Sequence, residues 1–150
     1  MELSLEWEFM PWNVMFQKVI QCLSLHQQFK RRLKLKAKNE KLGWEEKFEG
    51  LMMIAIDEGL KSIAGEASTK VIYYQLEKIF QIGMNELIKN SEKLTEGLEK
   101  IFGYGARILE TAILQKLYEK LNLNFKEKES CKFKDYIEEA KKYYQQIKLK

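Results

Sequence analysis

The residue best placed to do chemistry in this chain is Glu110. On a wheel at roughly 100° per residue, Ala106, Leu109, Ile113, Leu117 and Leu121 fall in one arc, with Leu114 at its edge. Glu110 sits inside that arc. A carboxylate there must be paired, protonated or close to the surface. The nearest cation in sequence is Arg107, and side chains at i,i+3 meet on a helix. Glu110 and Arg107 are therefore the candidate pair. Their structural reading is an ion pair, or a hydrogen bond from Glu110 to a tyrosine hydroxyl. Their functional reading is a ligand-binding or metal-binding carboxylate, although no second carboxylate, His or Cys is positioned by sequence to complete such a site.

Just ahead of this stretch, Gly103 and Gly105 flank Tyr104. A Gly-x-Gly before a helix brings backbone N–H groups up to a phosphate. The dinucleotide fingerprint needs a third glycine, where this chain has Ile108, and a preceding strand, where Leu94–Phe102 has helical spacing. The pair is better read as Gly103 capping the preceding helix and Gly105 permitting a close helix crossing.

Other catalytic signals are weak. His26 is the single histidine, beside Gln27 and Gln28 on a helical stretch. There is no P-loop, no HExxH and no cysteine pair at zinc spacing. Asp57 and Glu58 are adjacent, so on a helix they diverge by about 100°. Tyr73, Tyr74, Tyr143 and Tyr144 read as core and rim. The expectation is a protein that is not an enzyme, with no catalytic residue, no metal site and no cofactor.

A second chemistry is carried by the basic run Lys30, Arg31, Arg32, Lys34, Lys36 and Lys38. Residues 1–43 hold eight Lys and Arg against four Glu, a surplus of four positive charges. The whole chain has 26 against 22, so residues 44–150 are balanced. Such a segment can neutralise phosphates without reading sequence, or lie on an anionic membrane. It can equally be a solvated face.

Among 150 residues, 45% are hydrophobic, which supports one domain with its own core. Pro11 is the only proline, and no Ser/Gly-rich linker appears, so helices joined by short turns are expected. Cys22 and Cys131 lie far apart, as suits a reducing cytosol, and their spacing leaves open whether they pair. Glu2, Glu6 and Glu8 stand where a signal peptide would be basic. The apolar run Val14–Leu25 is interrupted by Gln17, Lys18 and Gln21, too short and too polar to span a bilayer. A cytoplasmic protein without a transmembrane segment is expected.

The division expected is a basic extension over 1–43 and a helical domain over 44–150. Within the extension, Leu3, Leu5, Trp7 and Phe9 alternate with polar residues, and 33–38 alternates too, leaving room for minor β-strands at the N-terminus. The rival reading is one long helix started by Pro11. Downstream, a helix is predicted over about 44–64, with Phe48, Leu51, Met52, Ala55, Gly59 and Ile63 as its apolar face and Gly65 as its stop. Another runs over 67–81 through Ile72, Tyr73, Leu76, Ile79 and Phe80, with Tyr74 facing away. Gly83 breaks the pattern, and 84–89 forms a single turn. Ser91 caps the next helix. The central helix, about 104–121, is apolar nearly all round in its first half and should be buried there, leaving the core by its last turn. Leu121–Phe125 offers a short alternation, 126–129 a solvated connector, and a final helix begins near Ser130. The fold class is thus all-α, a multi-helix bundle around that central helix.

Residues from about 57 to 144 resemble a small archaeal helical domain family of unknown function, known in part as a thaumarchaeal output domain. The resemblance is carried by Asp57-Glu58-Gly59-Leu60, Tyr73-Tyr74-Gln75-Leu76-Glu77, Leu98–Gly103, and above all Gly105–Glu110 followed by Leu117-Tyr118. It implies a regulatory or interaction module with no assigned reaction. The functional expectation is a non-enzymatic regulatory or protein-interaction module, self-associating as a homodimer or binding another protein. The alternative is a nucleic-acid-binding protein acting through residues 30–41.

Overall fold

The computed structural model describes residues 43–150 and, ahead of them, only Gln27 and Arg31, both helical and exposed. The readings made for the N-terminal strands, the Pro11 helix, His26 and Cys22 lie outside the described residues. Among the described residues there is no strand, and five α-helices pack as an all-α bundle. They are α1 (Trp44–Phe80), α2 (Met84–Lys89), α3 (Ser91–Phe102), α4 (Ala106–Lys120) and α5 (Phe133–Leu149), with a 3-10 turn at Gly103–Gly105 between α3 and α4.

Helix α1 is two arms. At Gly65 the backbone leaves the helical region, with φ 82° and ψ 169°, a conformation all but reserved for glycine. The arms fold back on each other. The Tyr73 hydroxyl donates to Asp57 Oδ1 at 3.1 Å, yet on a straight helix those residues would be about 24 Å apart. The stop expected at Gly65 is thus the vertex of a helical hairpin. Near the vertex, the Thr69 hydroxyl donates to the Gly65 carbonyl at 2.7 Å.

Helix α4 packs most extensively on α1 and also meets α3 and α5. Its residues Ile113 and Leu117 are fully buried. The core around them takes Met52, Met53, Ile56 and Leu60 from the first arm, Leu76 from the second, Leu87 from α2 and Leu98 from α3, all essentially without exposure. From α5 come Phe133, Tyr136 and Ala140. Each large apolar side chain buried this way contributes about 1.5–3 kcal/mol.

Several expectations are corrected by this packing. Helix α4 is not buried all round in its first half: Ile108 is 61% exposed, because α1, α3 and α5 cover its other faces. Its last turn stays inside, with Leu117, Tyr118 and Leu121 buried. Tyr74 is buried rather than turned away. Ile72, Tyr73 and Tyr74 are consecutive, about 100° apart, and all buried, so the second arm is covered on several sides. Ile63, expected on the apolar face, is 53% exposed near the vertex.

Helix ends differ in detail. Asn90, not Ser91, caps α3, its side chain accepting from Lys93 N at 3.1 Å. Gly103 closes α3 as expected, with φ 58° and its N–H on the Glu99 carbonyl. Gly105 makes no close crossing, since a Cβ there would meet only Phe102 Cβ at 3.7 Å. Leu121–Phe125 is not a strand. Asn122 takes the left-handed conformation (φ 56°), Leu123 N donates to Tyr118 O at 2.8 Å and Asn122 N to Glu119 O at 3.1 Å, which is a Schellman ending. The alternation survives as an extended loop that turns Leu121, Leu123 and Phe125 toward the core. Helix α5 starts at Phe133 because Asp135 Oδ2 accepts from Lys132 N at 2.8 Å and fixes the first turn there.

Candidate functional site

Glu110 opens onto a cleft of about 790 Å³. Its walls come from α3 (Thr95, Glu99), the 3-10 turn (Gly103, Tyr104), α4 (Ala106, Arg107, Glu110, Thr111, Leu114), the loop after α4 (Phe125, Glu127, Glu129, Cys131, Lys132) and the start of α5 (Phe133, Tyr136). A volume of that order lies within the range of small-molecule sites.

The geometry follows from local sequence. Gly103 turns the chain sharply between α3 and α4, so Thr95 and Glu99 on one helix face Glu110 on the next. The Schellman ending at Asn122 sends the loop back along α4. There Phe125 packs edge-on to Tyr118, ring centres 5.4 Å apart, and tilted against Tyr136 at 5.3 Å. Tyr136 is held in place by its hydroxyl, which accepts from Lys128 N at 2.6 Å and donates to Lys128 O at 3.3 Å. Tyr118 donates to the Tyr136 carbonyl at 3.2 Å. Burial is the first cause that pushes the Tyr118 phenol up to about 12, followed by the Glu139 carboxylate. Tyr118 is therefore a neutral donor at any physiological pH.

The structure does not join Glu110 to Arg107. The guanidinium Nη2 of Arg107 lies 2.9 Å from Glu127 Oε1, an exposed pair between α4 and the loop. Glu110 instead has Oε1 shut away from solvent, with no hydrogen-bond partner among the described residues. Desolvation raises its pKa first, and the nearby Glu99 carboxylate adds to this. The Thr95 hydroxyl and the more distant Arg107 charge act in the opposite direction, and the balance lies above the ordinary carboxylate value. The half-buried Glu110 is thus a carboxylate short of donors.

Sequence reasoning placed Glu110 and Arg107 correctly on the helix but missed the groups that complete the cleft. Thr95 and Glu99 lie 15 and 11 positions before Glu110, and Glu127 lies 20 after Arg107. No periodicity within one helix relates them. The buried acid, Asp57, pairs with Tyr73, which no spacing within one straight helix predicts. It accepts from Tyr73 and stands 3.0 Å from Lys61 Nζ. Neighbouring Glu58 turns elsewhere, to Lys120 Nζ at 2.9 Å, as adjacent helical residues must.

Of the basic candidates, Arg31 is helical and exposed; Lys30, Arg32, Lys34, Lys36 and Lys38 lie outside the described residues. Cys131 carries a free thiol at the cleft wall. Among the described residues no group of three His, Cys, Asp or Glu is arranged to hold a metal, and no helix is long and apolar enough to cross a membrane. No family model, curated protein or solved structure matches the chain.

Proposed function

We propose that this chain is a non-enzymatic protein-interaction or regulatory module that self-associates through the corner where α3 turns into α4. The observation that carries this reading is the exposure of three large apolar side chains there: Tyr104 entirely, Ile108 at 61% and Phe102 at 38%. Clustered apolar exposure of this kind marks interaction surfaces more often than solitary exposed residues do. Tyr104 suits such a role, since a tyrosine offers a large contact area and a polar tip. Size-exclusion chromatography with light scattering tests it. The full chain should be dimeric at high micromolar concentration, and the variant carrying Tyr104→Ser and Ile108→Ser should be monomeric. A wild type that stays monomeric ends the self-association reading.

The second reading, nucleic-acid binding through Lys30, Arg31, Arg32, Lys34, Lys36 and Lys38, is favoured by the charge surplus of residues 1–43 and by Arg31 standing exposed on a helix. It requires a gel shift at low salt that weakens steeply as salt rises and disappears when the six are replaced by Gln. Absence of a shift at low salt removes it.

A further inference from the structure

Three features of the cleft belong together. The first is the donor deficit of Glu110, whose Oε1 is buried without a hydrogen-bond partner among the described residues. A buried acceptor left in that state is costly, and a positive charge placed beside the carboxylate offsets that cost. The second is charge. Of the ionisable lining groups, Glu99, Glu110, Glu127 and Glu129 are acidic while Arg107 and Lys132 are basic, and Arg107 is already engaged with Glu127. The cleft therefore attracts cations. The third is the wall. Phe125 lines the same space with the largely buried Phe133 and Tyr136 behind it, and aromatic groups attract cations and accommodate apolar bodies.

We propose that this cleft binds a small organic cation, a protonated amine carried on an apolar body, with Glu110 as its counter-ion and the Phe125–Tyr136 wall as the seat of the apolar part. The ammonium meets the half-buried Glu110 carboxylate from the cleft it lines. Glu99, on the facing helix, adds a second negative charge near the ammonium. The salt bridge from Arg107 to Glu127 keeps the guanidinium from neutralising Glu110 directly, which leaves that role to the ligand. An anion of the same shape meets the opposite field and is rejected. A neutral isostere loses the charge-assisted hydrogen bond.

The experiment is a titration of the full chain with 2-phenylethylamine, followed by two-dimensional NMR, with phenylacetate and 2-phenylethanol as the anionic and neutral counterparts. The amine should bind saturably in the micromolar to millimolar range, with shifts centred on Thr95, Glu99, Glu110 and Tyr136, and the counterparts at least about tenfold more weakly, the worth of one hydrogen bond to a charged group. Glu110→Gln should weaken the amine by about tenfold or more, with circular dichroism confirming that the helices remain. Glu99→Gln, a change at an exposed position, should weaken it less and leaves a second variant that folds. No saturable binding of the amine, equal binding of phenylacetate, or undiminished binding by both variants would each overturn the proposal. Because Tyr104 lines both the cleft and the proposed self-association corner, the titration is repeated on the Tyr104→Ser, Ile108→Ser variant, so that loss of self-association and loss of amine binding are read separately.

Discussion

Gly59 of α1 lies directly against Ile113 of α4: a Cβ on Gly59 would stand 2.7 Å from both the Cα and the N of Ile113. The obstacle is backbone, which cannot swing aside as a side-chain end can. Gly59→Ala must therefore push α1 and α4 apart at their most extensive contact. Overpacking of this kind costs about 1–3 kcal/mol or more, and the urea midpoint should fall accordingly. Gly50 is the control, because a Cβ there meets nothing within 4 Å. Gly50→Ala should raise the midpoint by the equivalent of about 0.5–1 kcal/mol, the helix cost of glycine. Equal midpoints for the two variants would mean that the helices do not cross this closely.

At Gly65 the expected loss is of another kind. A Cβ there also meets nothing within 4 Å, so space is not the constraint. The φ of 82° and ψ of 169° fall in a region that side chains with a Cβ rarely adopt. Gly65→Ala should cost about 1–3 kcal/mol from backbone strain alone. If the variant unfolds at the wild-type urea concentration, the arms of α1 do not need this conformation at the vertex.

The hydroxyl of Tyr73 ties the two arms together through Asp57. Tyr73→Phe keeps the ring in the core and removes only the donor. Because the acceptor is a carboxylate, the loss should be about 1.5–3 kcal/mol by chemical denaturation. A loss within experimental error would show that the ring, not the hydroxyl, holds the hairpin closed.

Glu110 gives a pH signature. Its folded pKa is raised, first by desolvation and then by Glu99. The folded state therefore binds the proton more tightly than the unfolded chain does. The protonated carboxyl fits the fold best below the unfolded pKa, and that stability is lost as pH rises through the folded pKa. The stability difference between wild type and Glu110→Gln isolates this group from the other carboxylates. The Gln variant should gain on the wild type as pH rises through that window and hold its advantage at neutral pH. Glu110→Leu should remove the same pH dependence, its gain at neutral pH offset in part because the Thr95 hydroxyl beside Glu110 loses its acceptor. A difference that does not change with pH would place Glu110 in water.

Much of the helical architecture was legible in residue order. The spacing of Phe48, Met52 and Ala55, the breaks at Gly65 and Gly83, and the cap at Gly103 are local features, set by side-chain period and by the backbone freedom of glycine. They located the helices to within a few residues. The apolar arc of α4 identified Glu110 as the residue out of place, again because a helical wheel is a local property.

What residue order left open is how those helices face one another. The Gly59 contact with Ile113, the return of Tyr73 to Asp57, and the choice of Glu127 by Arg107 join residues 54, 16 and 20 positions apart. Ile108 and Tyr74 went to the opposite side of the burial line from their expected places for the same reason: a wheel shows which residues share a face, while only the neighbouring helices decide which faces are covered. The sequence by itself determined the helices and flagged one misplaced carboxylate. The tertiary structure decided that this carboxylate looks into a cleft, short of a donor, because Thr95, Glu99 and the Phe125 loop reach it only after the chain has turned at Gly103 and again at Asn122.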